Sequence, residues 1–139
     1  MNRRQVLGGV GVLAVAAAAA QPGFSESTVG IANRALVDTA SDCVRKGQVC
    51  LSHCHEMLAT GDKSLGACAK SVSELLAVCG ALVALAAQGA PSLPKLAAVA
   101  FDVCTRCEAE CLKHAQHPPC KDCADACVAC AAQCKKVAA

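Results

Sequence analysis

Residues 120–134 read CKDCADACVACAAQC, with cysteines at 120, 123, 127, 130 and 134. The gaps are 3, 4, 3 and 4. At about 100° per residue along an α-helix, all five thiols fall within roughly 80° of arc. This spacing places side chains on one buried stripe. The pattern recurs upstream: Cys43, Cys50 and Cys54 are separated by 7 and 4, Cys68 and Cys79 by 11, and Cys104, Cys107 and Cys111 by 3 and 4. Each of these sets lies within about 60° by the same arithmetic. The stripes continue with Leu36, Val72, Leu76, Val83, Leu96, Ala100 and Val137. The cysteines thus stand where a bundle normally carries its leucine core.

Breaks between the stripes define four helical segments. The first runs from about Thr28 to Thr60, with Ser27 or Thr28 as N-cap, and stops at Gly61-Asp62. The second runs from about Ser64, its expected N-cap, to Gln88, and ends at Gly89-Ala90-Pro91. The third starts near Ser92, tolerates Pro94 in its first turn and reaches about His114. The last runs from about Pro119 to Val137. Ala, Leu and Lys dominate these segments and support helix formation. No alternating strand pattern appears. Short loops make neighbours antiparallel, so the expected fold is all-α, an antiparallel up-down four-helix bundle with a Cys-lined core.

Composition limits what such a bundle can do. There are 139 residues, enough for one domain, with 13 cysteines, no Trp, no Tyr and two Phe. So few aromatic rings leave no stacking platform for bases, and the formal charge of +2 is no nucleic-acid footprint. The first residues, Met1-Asn2-Arg3-Arg4-Gln5-Val6-Leu7, open an apolar run that ends Ala18-Ala19-Ala20 before Gln21-Pro22. Paired arginines, a mild apolar stretch and a small-residue cleavage pattern predict a cleavable export signal over residues 1–20, of twin-arginine type. The run is short for the ~20 residues that span a bilayer. Residues 21–27 are a polar lead-in, and 28–139 form the bundle. Arg3 and Arg4 leave with the signal while all Asp and Glu remain, so the exported chain is formally neutral. Nothing steers it to a membrane or a polyanion.

An odd number of cysteines cannot pair completely into intrachain disulfides. Within a helix, i,i+3 and i,i+4 neighbours have Cβ atoms about 5–6 Å apart, wider than the 3.5–4.5 Å of a disulfide. An ion between the two sulfurs closes that gap. The Cys-x-x-x-Cys pairs are Cys50/Cys54, Cys107/Cys111, Cys123/Cys127 and Cys130/Cys134. The Cys-x-x-Cys pairs are Cys104/Cys107, Cys120/Cys123 and Cys127/Cys130. Soft thiolates select Cu(I), zinc or iron–sulfur clusters. Zinc needs about four ligands per ion, drawn from several helices, and the usual iron–sulfur loop signatures are missing. Cu(I) is content with two or three sulfurs, and one Cu(I) per bridging thiolate balances charge in a low-dielectric core. The reading is a store of multiple Cu(I) ions with all 13 cysteines as ligands, mostly as pairs along one helix. No catalytic constellation stands out, so the chain reads as no enzyme. The rivals are a zinc or iron–sulfur module and a thiol-disulfide redox protein, whose Cys-x-x-Cys belongs at a helix start near a βαβ unit.

The two ends of the bundle differ. One carries His53, Cys54, Met57, Cys68, Cys111, His114, His117 and Cys120. The other carries Ile31, Leu36, Leu82, Val83, Leu85, Leu93, Leu96, Phe101 and Val137. Metal is expected to enter at the His/Met/Cys end. His53 and Met57, at i,i+4, are the candidate mouth ligands. His114 extends the stripe three residues beyond Cys111, His117 is the weaker loop candidate, and His55 is a surface residue.

The chain resembles the bacterial copper storage proteins over about residues 36–137. The resemblance is carried by Cys43-x6-Cys50-Leu51-x-His53-Cys54-x-Glu56-Met57-Leu58-Ala59 and Gly66-Ala67-Cys68. It continues through Ala77-x-Cys79-Gly80-Ala81-Leu82, Val103-Cys104-x2-Cys107-x3-Cys111 and Cys120-x2-Cys123-x3-Cys127-x2-Cys130-x3-Cys134-x2-Val137-Ala138-Ala139. It implies Cu(I) ions stored along the bundle axis, folded export to the periplasm, a homotetramer and a copper-dependent recipient enzyme. Family mouth ligands include a His and methionines. His53 and Met57 match two of them, whereas Thr60 and Leu65 stand where further methionines occur. His114 and His117 have no counterpart carried over.

Overall fold

A computed structural model describes residues 32–139. The expected signal at 1–20, the lead-in at 21–27, the caps Ser27 and Thr28, and Ile31 lie outside the described residues. Four helices follow: α1 Arg34–Ala59, α2 Gly66–Gln88, α3 Leu93–Leu112 and α4 Pro118–Val137, with a 3-10 turn Lys63–Leu65 ahead of α2. No strand occurs among the described residues. α1 packs on α2 and α4, α3 packs on the same two, and the diagonal pairs have no close backbone approach and meet only through core side chains. This is an up-down four-helix bundle.

Most boundaries follow the expected breaks. Gly89 ends α2 in the left-handed region at φ 59°, and Ala90 N–H closes the end by donating to the Leu85 carbonyl at 3.0 Å. Prolines occupy the first turns of α3 and α4, where no intrahelical N–H is required. The start of α2 differs from expectation. Ser64 is not its cap: the Asp62 carboxylate accepts from Ser64 N–H at 2.9 Å, caps the 3-10 turn, and α2 proper begins at Gly66. α3 stops at Leu112, two residues earlier than expected, and the chain turns through residues 113–117.

All thirteen cysteines are fully buried, together with Leu36, Leu65, Val72, Leu75, Leu82, Leu93 and several alanines. On α2 the deep positions are Leu75 and Leu82, and Leu76 and Val83 are half-buried flanks. The 11-residue gap between Cys68 and Cys79 leaves that choice open in sequence. Leu96 and Val137 are flanks as well, with Ala97 and Cys134 deeper. Gly47 is buried where α1 meets α2, and a Cβ there would lie 3.0 Å from Leu76 Cδ2. A bare backbone at this point lets the two helices approach closely. No polar or charged side chain is buried among the described residues. Residues Lys63–Gln88 are long and apolar enough to suit a bilayer by length and composition. In the bundle their deep side chains face the shared core, and their exposed surface is largely alanine from Ala77 to Ala87.

Candidate metal centre

The thiols occupy the core because each helix turns its cysteine stripe inward. From Cys120 to Cys134 that stripe runs fourteen residues, about 21 Å at 1.5 Å rise each. All thirteen cysteines are free. Sulfurs approach across helix pairs at Cys43–Cys127 (3.9 Å), Cys50–Cys68 (3.9 Å), Cys50–Cys120 (3.7 Å), Cys68–Cys111 (3.7 Å) and Cys79–Cys104 (3.8 Å). Along one helix, Cys107–Cys111 lies at 3.9 Å and Cys130–Cys134 at 4.0 Å. The shortest contacts therefore run mainly between helices, whereas the spacing argument expected pairs along one helix to dominate. The reason is packing: stripes from facing helices interdigitate on the axis.

Four groups bring their sulfurs within 4.8 Å of one another: Cys43/Cys79/Cys104/Cys130, Cys50/Cys54/Cys68/Cys120, Cys50/Cys111/Cys123 and Cys107/Cys123/Cys127. The first takes one thiol from each helix. Cys50 and Cys123 each belong to two groups and so join the last three, and the Cys43–Cys127 contact at 3.9 Å ties the first group to them. A metal–thiolate bond of about 2.3 Å sets the sulfurs around one ion roughly 3.8–4.6 Å apart, from tetrahedral to linear. The nearest native spacings, 3.7–4.0 Å, already lie close to the tetrahedral end of that range.

The hydrogen-bond network makes the thiols unequal. Cys43 is lowered from the usual thiol value to about 5, first by its hydrogen bond with Cys104 and then with Cys127. Cys130 is lowered to about 5, first through Cys104 and then Cys134. Cys50 and Cys107 are lowered as well, in both cases foremost by Cys111 and then Cys123. Each accepts S–H donors from several sides, which favours its thiolate. Burial pushes Cys54 up, and the neighbouring Cys50 thiolate adds to it. The same two causes raise Cys120 to about 12. Four accepting thiols, Cys43, Cys50, Cys107 and Cys130, thus sit among donating ones.

The Cys50/Cys54/Cys68/Cys120 group lies at the end of the bundle where His53 and Met57 flank Cys54 on α1 and His117 precedes α4. His53 and Met57 are half-buried, and His55 is exposed. His53 Nε2 lies 3.0 Å from His117 Nδ1, with ring centroids 4.8 Å apart. His114 instead turns to Glu110, 3.8 Å away. By spacing alone His114 outranks His117, because it continues a helical stripe. The early end of α3 removes that stripe and swings His117 toward α1. At the far end Leu36, Leu82, Ala86, Leu93 and Ala97 close the core. There Asn33 Nδ2 donates to the Ala86 carbonyl at 3.2 Å, tying the start of α1 to the end of α2.

A bundle whose interior is a connected row of thiols has the architecture of a metal store, and comparison with known proteins agrees. The sequence profile of the family described as copper storage protein matches residues 31–139. The chain belongs to the copper storage protein family. Among solved structures it resembles the Cu(I)-bound copper storage protein BsCsp3, with a TM-score of 0.70 and 30% identity, covering 76% of this chain and 97% of that one. A curated relative, the "Uncharacterized cysteine-rich protein YhjQ" of Bacillus subtilis (strain 168), is 30% identical over 107 residues, 77% of this chain and 96% of its own length.

Proposed function

We propose that this chain stores multiple Cu(I) ions along its core, with the thirteen cysteines as ligands, buffers copper and performs no catalysis. The observation that carries this reading is the linked set of thiol groups with sulfurs within 4.8 Å of one another. Charge favours Cu(I) over zinc. A Zn²⁺ held by four thiolates leaves two negative charges, and the core has no buried polar or charged side chain to compensate them. One Cu(I) per thiolate sums to zero. A thiol-disulfide enzyme would need an accessible thiol, and every cysteine here is fully buried.

In this reading copper passes the mouth bordered by His53 and Met57, and the leucine-closed end is a plug. Residues 1–20 serve as a twin-arginine export signal, the mature protein works in the periplasm as a homotetramer, and the stored copper supplies a copper-dependent enzyme. Support for these points comes from the Arg3-Arg4 motif and the family resemblance. Mass spectrometry of exported protein is expected to find Gln21 at the N-terminus. An anaerobic Cu(I) titration against a strong chelator tests the storage reading. Saturation at many ions per chain is expected, and saturation at one or two contradicts it.

A further inference from the structure

We propose that the bundle carries two reducing pairs, Cys50–Cys120 and Cys68–Cys111, which convert arriving Cu(II) to Cu(I) by forming disulfides between helices. The proposal rests on the storage reading and adds an activity to it. A core without a buried polar or charged side chain balances one Cu(I) per thiolate. Cu(II) brings a second positive charge that this balance does not accommodate, so it must gain an electron to be stored. Thiols give up electrons in pairs, and the two sulfurs must be able to join. Partners along one helix are unsuited, because their Cβ atoms stand about 5–6 Å apart against the 3.5–4.5 Å of a disulfide. That sets aside Cys107–Cys111 and Cys130–Cys134, whose sulfurs lie at 3.9 Å and 4.0 Å.

Among the cross-helix contacts two stand at 3.7 Å, Cys50–Cys120 and Cys68–Cys111, and they share no thiol. Both run between the same two halves of the fold. The turns at residues 60–65 and 113–117 join α1 to α2 and α3 to α4 at one end, so at that end the two hairpins meet only by packing. Cys120 and Cys68 are each the third residue of their helix. Helix ends fray, so the first turn can give the roughly 1.7 Å that separates contact from an S–S bond of about 2.05 Å. In each pair two S–H bonds break and one S–S bond forms. The two electrons reduce two Cu(II) to two Cu(I), and two protons leave to water. The Cu(I) ions have thiols waiting beside both pairs. Cys54 lies within 4.8 Å of Cys50, Cys68 and Cys120, and Cys123 within 4.8 Å of Cys50 and Cys111. The Cys107/Cys123/Cys127 and Cys43/Cys79/Cys104/Cys130 groups stay whole. All four reducing thiols are fully buried, which shuts out a protein thiol and leaves thiol–disulfide exchange aside. The reaction is stoichiometric in the ion, and each pair acts once until it is reduced again.

The reduced, metal-free full chain, mixed without oxygen with one equivalent of Cu(II) glycinate for each of the four thiols, tests this. The Cu(II) signal in electron paramagnetic resonance is expected to vanish. After copper is stripped by a strong chelator in denaturant, four of the thirteen thiols should be lost. Peptide mapping without reductant should join Cys50 to Cys120 and Cys68 to Cys111. Cys120→Ala is expected to halve the Cu(II) reduced, and Cys111→Ala/Cys120→Ala to abolish it. Both variants should still take up many Cu(I) ions, which shows that they fold. Cys54→Ala should reduce Cu(II) as the wild type does. A wild type that stores many Cu(I) ions but leaves the Cu(II) signal intact, or forms its disulfides at other cysteines, overturns the reducing pairs alone. A wild type that saturates at one or two Cu(I) ions overturns the storage reading and the reducing pairs with it.

Discussion

The cysteine side chain here fills core volume and supplies the donor atom at once, and the two roles respond differently to substitution. Cys104→Ser keeps the shape but buries a hydroxyl among thiols and alanines. The expected cost to the copper-free protein is roughly 1–3 kcal/mol in urea unfolding, and copper capacity should fall by about one ion. An unchanged capacity would mean that Cys104 is not a ligand. Protonation belongs to the same scale. Cys54 and Cys120 are pushed up and enter loading as thiols, so copper uptake near neutral pH should release protons. Cys43 and Cys130, lowered to about 5, give up their protons more readily and contribute less to that release. As pH falls through that value they too must give up a proton to bind, so proton release per copper rises and affinity drops. A pH indicator in weakly buffered solution measures this, and proton release equal at pH 4 and pH 7 would contradict it. The thirteen ligand candidates were legible from spacing alone, because a thiol on a helical stripe has a fixed azimuth. The His53–His117 contact was not, since it depends on how the 113–117 turn carries a loop residue across to another helix.

At the scale of helices, what was legible was punctuation. Gly89-Ala90-Pro91 announced the end of α2 in residue types whose backbone preferences are strong, and the structure places Gly89 at φ 59°. Gly89→Ala should therefore destabilise the bundle by about 1–2 kcal/mol in urea, the cost of a Cβ in the left-handed region. An unchanged midpoint would show that the α2–α3 turn relaxes without penalty. The start of α2 was harder to read. Asp62 and Ser64 are both good caps two residues apart, and the 3-10 turn Lys63–Leu65 uses Asp62 as its cap and takes Ser64 inside. The choice between Leu75 and Leu76 was equally hidden, because neighbours 100° apart both lie near the stripe and only the position of the facing helices decides. Surface ion pairs such as Arg106–Glu74 at 2.7 Å and Lys46–Asp122 at 3.2 Å bridge adjacent helices. Exposed pairs of this kind contribute little, on the order of 0–1 kcal/mol.

The whole molecule is a bundle whose core is finished by its cargo. Cu(I) bound by the native thiol array and weakly by the unfolded chain stabilises the fold by mass action, by about 2.7 kcal/mol at a hundredfold excess over the dissociation constant. For a bundle of this size that corresponds to a rise in melting temperature on the order of 10 °C, measurable by circular dichroism under anaerobic conditions. A melting temperature indifferent to copper would place the metal outside the core. The most direct test of the central claim is anomalous scattering at the copper edge from crystals of the Cu(I)-loaded protein. The expected result is a row of copper peaks inside the bundle, each bonded to cysteine sulfur, running from the Cys54/Cys120 end to Cys134. Copper found only on the outer helix faces, or a single ion with most sulfurs unbound, would contradict it.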